Sequence, residues 1–398
     1  MTRRVDLVAA LLLLFGGMLS TLDSIVVDHY EMAPLAMGLA LLLIHHGRRQ
    51  PLRYLYLLLL LLLLRVILRG DERFLSSEIT GNDYMLIVLG FAASYRLPAA
   101  FWRVLLPLFA IFIPLAALLS YLLRAEPETA ERFNAGTLSI NQTSFLLGCC
   151  LILSLCFLWN SATRKRETSL RWLLTISWSA LTLLLLFLEN ATGSRSGQAL
   201  PLVIVGAMLT LAHRHQLGER LRIPQISGSG LDVKVVGAAL MAAGTMAGLR
   251  AMYADPETMV SDLHRLYLLR CYLQAPFSGR NRLVYGMGYT KASETLCKDI
   301  GLVRDTSHAH NIFAQIAGDN GFFALLTIAC IAGWFLVQAL QKAQAINHPI
   351  VFASACLFVY IFIVLQLEGG WGKVTFLQVL IGLSMGALTM EAAKPSSA

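Results

Sequence analysis

Charge is what this sequence has least of. Of its 398 residues 14% are Asp, Glu, Lys or Arg and 57% are hydrophobic, and the mean hydropathy is +0.64. A soluble chain carries about 25% charged and about 45–50% apolar residues, so the water-soluble globular classes are excluded. Disorder is excluded as well, because disordered segments are poor in the apolar residues that fill this chain. Three narrower absences bear on function. No Asp-x-Asp occurs, so the usual acidic clamp for a metal–diphosphate donor is missing; Glu126/Glu128 and Asp255/Glu257 come nearest and read as solvated loop acids. No G-x-x-x-x-G-K-[ST] sequence occurs, so ATP is not the obvious energy source. Few acids lie in apolar runs, with Glu189, Glu368 and Glu391 at their edges. Ion-coupled transporters place ionisable groups near the membrane midplane, which weakens that class.

The abundant feature is the long apolar run. A spanning helix needs about 20 mostly apolar residues, and twelve runs approach this, near 5–22, 31–46, 52–68, 83–100, 103–122, 141–159, 171–189, 197–213, 234–251, 320–340, 349–367 and 373–391. They are continuously apolar, whereas barrel strands alternate over about ten residues. The expected fold is therefore all-α, a polytopic membrane bundle of about 12 helices. The run after Met1-Thr2-Arg3-Arg4 reads as a retained first helix: it is long, lacks a small-x-small cleavage site, and eleven more runs follow.

Basic residues in short loops set orientation. With a cytoplasmic N-terminus, the inner loops hold Arg48, Arg49 and Arg53, then Arg164, Lys165, Arg166 and Arg171, then Arg214, Arg220 and Arg222. The short outer loops are richer in acids, including Asp23, Asp28, Glu31, Glu126, Glu128 and Glu131. Three parts follow: residues 1–251 with nine helices, an external loop at 252–311, and residues 312–398 with three more helices. Loops beyond about 12–15 residues are functional or disordered. This one carries Leu266, Tyr267, Leu268, Leu269, Tyr272 and Leu273 at helical spacing, so an amphipathic helix on the bundle is expected, followed by a turn at Gly286-Met287-Gly288.

The external side holds arginines that orientation does not call for: Arg250, Arg265, Arg270, Arg280, Arg282 and Arg304, with Arg195 in the turn Thr192-Gly193-Ser194-Arg195-Ser196-Gly197. Their planar donors suit phosphate oxygens; the bland alternative is snorkelling to lipid headgroups, which covers Arg65, Arg69 and Arg73. Small neighbours let a ligand or backbone approach Arg195. His308 and His310, in Asp305-Thr306-Ser307-His308-Ala309-His310-Asn311, are open to three readings: interfacial residues, a metal pair or a general base. The metal reading is the weakest, for Asp305 and Cys297 supply no recognised zinc spacing. Cys149, Cys150, Cys156, Cys330 and Cys356 fall in apolar runs as filler. Cys271 and Cys297 share the external loop, where pairing and free thiols remain equal alternatives.

His310-Asn311, nine residues (312–320) and Gly321-Phe322-Phe323-Ala324 resemble the histidine motif of the bacterial O-antigen ligase and polymerase family of inner-membrane glycosyltransferases. Ala324 stands where that motif has a second glycine, a small-for-small change compatible with close helix packing. Ser194-Arg195-Ser196-Gly197 resembles the family's arginine turn. Arg265 through Pro276, with Gly286-Met287-Gly288, resembles its loop pattern. The match in sequence is confined to about 195–324; elsewhere the likeness is one of topology.

The resemblance implies a ligase joining a polysaccharide on undecaprenyl diphosphate to lipid A–core at the periplasmic face, with no cofactor, metal or nucleic acid. His310 is then the catalytic base, and Arg195 and Arg265 bind the diphosphate. Arg280, Tyr285 and His308 are further substrate-binding candidates. The polymerase of the same superfamily and a lipid or polysaccharide transporter are the competing readings.

Overall fold

The computed structural model describes residues 2–22, 32–47, 80–123, 133–135, 138–163, 169–219, 233–253, 257–288, 291–297, 309–346, 348–367 and 375–390. Among these residues the regular structure is helical, without a strand. In chain order the helices are α1 (Thr2–Leu22), α2 (Met32–Gly47), α3 (Thr80–Ser94), α4 (Ala99–Leu123) and α5 (Ile140–Thr163). They continue with α6 (Ser169–Thr192), α7 (Arg195–Glu219), α8 (Val233–Tyr253), α9 (Glu257–Gln274) and α10 (Arg280–Tyr285). The last are α11 (Lys291–Leu296), α12 (Ile312–Asn320), α13 (Phe322–Ala343), α14 (Pro349–Val364) and α15 (Thr375–Leu388), and a 3₁₀ turn, Ala275–Ser278, joins α9 to α10.

Each expected apolar run coincides with a helix except the third, 52–68, which lies outside the described residues. Five described helices are long and apolar enough to cross a bilayer: Arg4–Leu22 of α1, α4, α5, α6 and α13. α2, α7, α8, α14 and α15 contain shorter apolar stretches. The 16 residues of α14 rise about 24 Å, short of the roughly 30 Å hydrocarbon layer. The described residues thus form an all-helical fold of membrane type, in which five helices reach full crossing length.

Burial sorts the helices. α14 and most of α5 are apolar and buried on all sides, as expected of helices at the centre of a bundle. α6 instead exposes Leu170, Trp172, Leu173, Ile176 and Leu183, and α13 exposes Phe323, Leu326, Trp334 and Val337; these are faces for acyl chains. Lipid is as apolar as leucine, so helices in it associate through close packing of small residues. α7 and α8 do so: a β-carbon on Gly237 would stand 2.9 Å from the Gly206 carbonyl oxygen.

Ser144, near the start of α5, marks where four helices meet. Its hydroxyl donates to Glu189 Oε2 of α6 at 2.8 Å, its carbonyl accepts from Tyr360 of α14 at 3.5 Å, and Gly197 of α7 packs on its side chain. At the other end of α5, Arg171 donates to the carbonyls of Ser161 and Ala162 at 3.1 and 2.6 Å. It satisfies helix-terminal acceptors that lack intrahelical partners, a second use for a residue first read as an orientation signal.

Candidate functional site

His310 sits in a short connection between the undescribed residues 301–308 and α12. Its φ is +51°, a left-handed conformation that bulky residues seldom adopt and that costs about 1–3 kcal/mol. The neighbours hold it there. Gln315 Oε1 accepts from the Ala309 N–H at 2.8 Å, and Gln315 Nε2 donates to Asp319 Oδ2 at 2.6 Å. Asn311 is the N-cap of α12, its Oδ1 accepting from the Ala314 N–H at 2.9 Å. Its Nδ2 donates to the Gln366 carbonyl at 3.2 Å, and the Ile312 N–H donates to the Leu365 carbonyl at 2.9 Å. The base of the imidazole's backbone is therefore fixed to the end of α14.

α9 packs along α12, where Tyr272, fully buried, lies against Gly318. Arg265, half-buried, precedes Tyr272 by seven residues, two helical turns, and so shares its face. The Gly286-Met287-Gly288 turn closes onto the other end of α12: the Met287 and Gly288 N–H groups donate to the Gly318 and Asp319 carbonyls at 2.8 and 3.1 Å. Gly286 (φ +71°) and Gly321 (φ +89°) both adopt backbone conformations that favour glycine. Gly321 is the break between α12 and α13, pressed against α10, while Ala324 is buried in the core.

Arg195 is the first residue of α7; its side chain lies outside what is described. The turn before it is closely held. The Ser194 N–H donates to Thr192 Oγ1 at 3.1 Å, and Thr192 Oγ1 donates to the Glu189 carbonyl at 2.7 Å. Gly197 packs directly on Ser144 Oγ and the Glu189 carboxylate. The small residues around Arg195 thus admit these two side chains. Glu189 is fully buried and its Oε1 has no hydrogen-bond partner among the described residues. Sequence reading placed it at a helix edge; only the packing shows a carboxylate beneath the arginine turn.

α14 connects the two regions. Tyr360 meets Ser144 under the arginine turn, and Leu365 meets Ile312 beside His310. Five residues of helix separate them, about 7.5 Å. The arginine turn and His310 consequently lie at the same end of the bundle. Arg280 and Tyr285 are exposed on α10, near Phe277 and Phe323, which are also exposed. His308 and Arg304 lie outside the described residues, as does the side chain of Arg250. α9 departs from a simple amphipathic pattern: Leu268 and Tyr272 are buried, whereas Leu266 and Leu273 face outward. Cys330 is exposed, unlike the other cysteines expected to fill the bundle.

One group of possible metal ligands occurs among the described residues, Asp6, His45 and His46, whose donor atoms lie within 4.8 Å of one another. It is on α1 and α2, away from His310 in the chain, and the 2.9 Å Asp6–His46 hydrogen bond ties those helices together. No family model and no curated protein matches the chain.

Proposed function

We propose that the chain is an O-antigen ligase of the bacterial inner membrane: an inverting, metal-independent glycosyltransferase that moves O-antigen polysaccharide from undecaprenyl diphosphate to lipid A–core at the periplasmic face. The topology that goes with it has twelve crossings and an external segment at 252–311. The observation that carries the reading is the convergence at one end of α14. A conformationally constrained histidine stands on one side and an arginine turn on the other, with the Arg265 helix packed along α12.

Such a site suits acyl-free sugar transfer. The acceptor hydroxyl passes its proton to the His310 imidazole as its oxygen bonds to the anomeric carbon. The bond from that carbon to the diphosphate oxygen breaks, and its electron pair leaves with undecaprenyl diphosphate. Attack opposite the leaving group inverts the anomeric centre. Arg195 and Arg265 stabilise the departing diphosphate by fixed positive charge, where other transferases use a metal held by Asp-x-Asp. Arg280, Tyr285 and His308 would contact donor or acceptor sugars, and the exposed Phe277 and Phe323 offer an apolar surface beside them.

The deciding experiment is gel analysis of lipopolysaccharide from a deletion strain. A ligase defect leaves bare lipid A–core while undecaprenyl-linked long polymer accumulates. Core bearing a single repeat would instead identify the polymerase. Substrate movement without a new glycosidic linkage, sensitive to an ion gradient, would identify a transporter.

A further inference from the structure

Cys271 on α9 and Cys297, just after α11, are both buried free thiols, adjacent in one apolar cluster with Leu268. The two belong to different helices and are brought together only by the fold. A second adjacent pair, Cys156 and Cys356, lies on α5 and α14 within apolar runs of the bundle rather than in the external segment. The loop pair is the one placed for oxidative chemistry.

We infer that Cys271 and Cys297 form a disulfide that staples α9 to α11 across the segment bearing Arg280, Tyr285 and the Gly286-Met287-Gly288 turn. The inference rests on the external placement of residues 252–311 in the proposed function, because disulfides persist in oxidising compartments. The oxidant is a protein disulfide of the exporting compartment, for which oxidised glutathione substitutes in vitro. One cysteine thiolate attacks the oxidant's disulfide and expels a thiolate. The second cysteine gives up its proton and attacks the mixed disulfide. The oxidant leaves with both electrons as thiols, and the two protons are accounted for there.

Burial pushes the Cys297 thiol up, and the adjacent Cys271 adds to the effect. Thiolate is the nucleophile, so Cys297 exchanges slowly once α11 is docked. Docking of α11 then shields the joined sulfurs from reductant. The turn enclosed by the bond is the same one whose N–H groups reach Gly318 and Asp319. The staple accordingly holds the substrate-facing loop against the helix that follows His310.

The test traps thiols with acid in intact cells and counts maleimides on the full chain after denaturation. Of seven cysteines, wild type should take five maleimides without reductant and seven after reduction; C271S and C297S should each take six in both conditions. A peptide pair joined at Cys271 and Cys297, absent from both variants, assigns the bond. Seven maleimides from cells, with closure only after oxidised glutathione is added to the purified protein, would overturn the external placement and the native bond with it. No closure under either condition would overturn the pairing itself and leave the placement untouched. A joined peptide in a protein whose deletion leaves lipopolysaccharide unchanged would uphold the bond and sink the ligase.

Discussion

Gly321 meets Val284 backbone to backbone: a β-carbon on Gly321 would lie 2.8 Å from the Val284 carbonyl. The glycine of the histidine motif and the end of the arginine-bearing α10 are thus one contact, although 37 positions separate them in sequence. Gly321→Ala combines this clash with a φ of +89°. It should lower stability by about 1–3 kcal/mol and depress transfer, whereas Ala324→Gly should leave transfer intact. Thermal unfolding in detergent, run beside a transfer assay, checks both.

His310→Ala and Arg265→Ala should remain folded in the membrane and lose transfer. A positioned base contributes about 10²–10⁴-fold, and the histidine variant should fall by that order in single-turnover rate. Arg265→Lys should recover only part of the loss, since an ammonium lacks the planar fork that pairs with phosphate oxygens. Full activity in both alanine variants would displace the proposed site.

Asn311 is predicted to act through backbone rather than substrate. Asn311→Ala removes the cap on Ala314 and the donation to Gln366, at about 1–2 kcal/mol. Asn311→Asp keeps the cap and loses the donation. If Asn311 only positions His310, the aspartate variant should be intermediate in both melting temperature and rate.

Gly197→Ala should drive Ser144 and Glu189 out of the space beneath the arginine turn. The expected result is weaker donor binding, read as a raised KM for the lipid diphosphate, with the His310 region unchanged. An unaltered KM would show that the turn does not set the position of Arg195.

The cysteine pair gives a pH signature. The folded, reduced Cys297 thiol is held above its ordinary value of 9.0 by burial and Cys271. A group raised on folding stabilises below its unfolded pKa and loses that stabilisation as pH rises. Reduced protein should therefore lose stability above pH 9.0, where the unfolded thiol ionises and the folded one does not. Oxidised protein should lack this added loss; parallel melts across the alkaline range provide the comparison.

The helices were legible because continuous apolar runs are local signals, and each described run became one. Their lengths were less so: α14 ends at Val364 and α15 begins at Thr375, boundaries that apolarity alone does not mark. In the site, the Gly-x-Gly turn and the spacing after His310 were visible in order along the chain. Glu189 under Gly197 and Gln315 bracing Ala309 were not, and Cys271 beside Cys297 was one of two open alternatives. Each depends on side-chain contacts across a turn or between helices, which leave no periodic trace.

The two anchorages on α14 have a mechanical consequence. Any tilt or slide of that helix would carry the Ser144–Tyr360 contact and the Leu365–Ile312 tie in the same direction. The spacing between the arginine turn and the histidine would then survive thermal motion of the surrounding bundle. Helices such as α6 and α13 could shift against moving lipid while the reacting groups kept their separation.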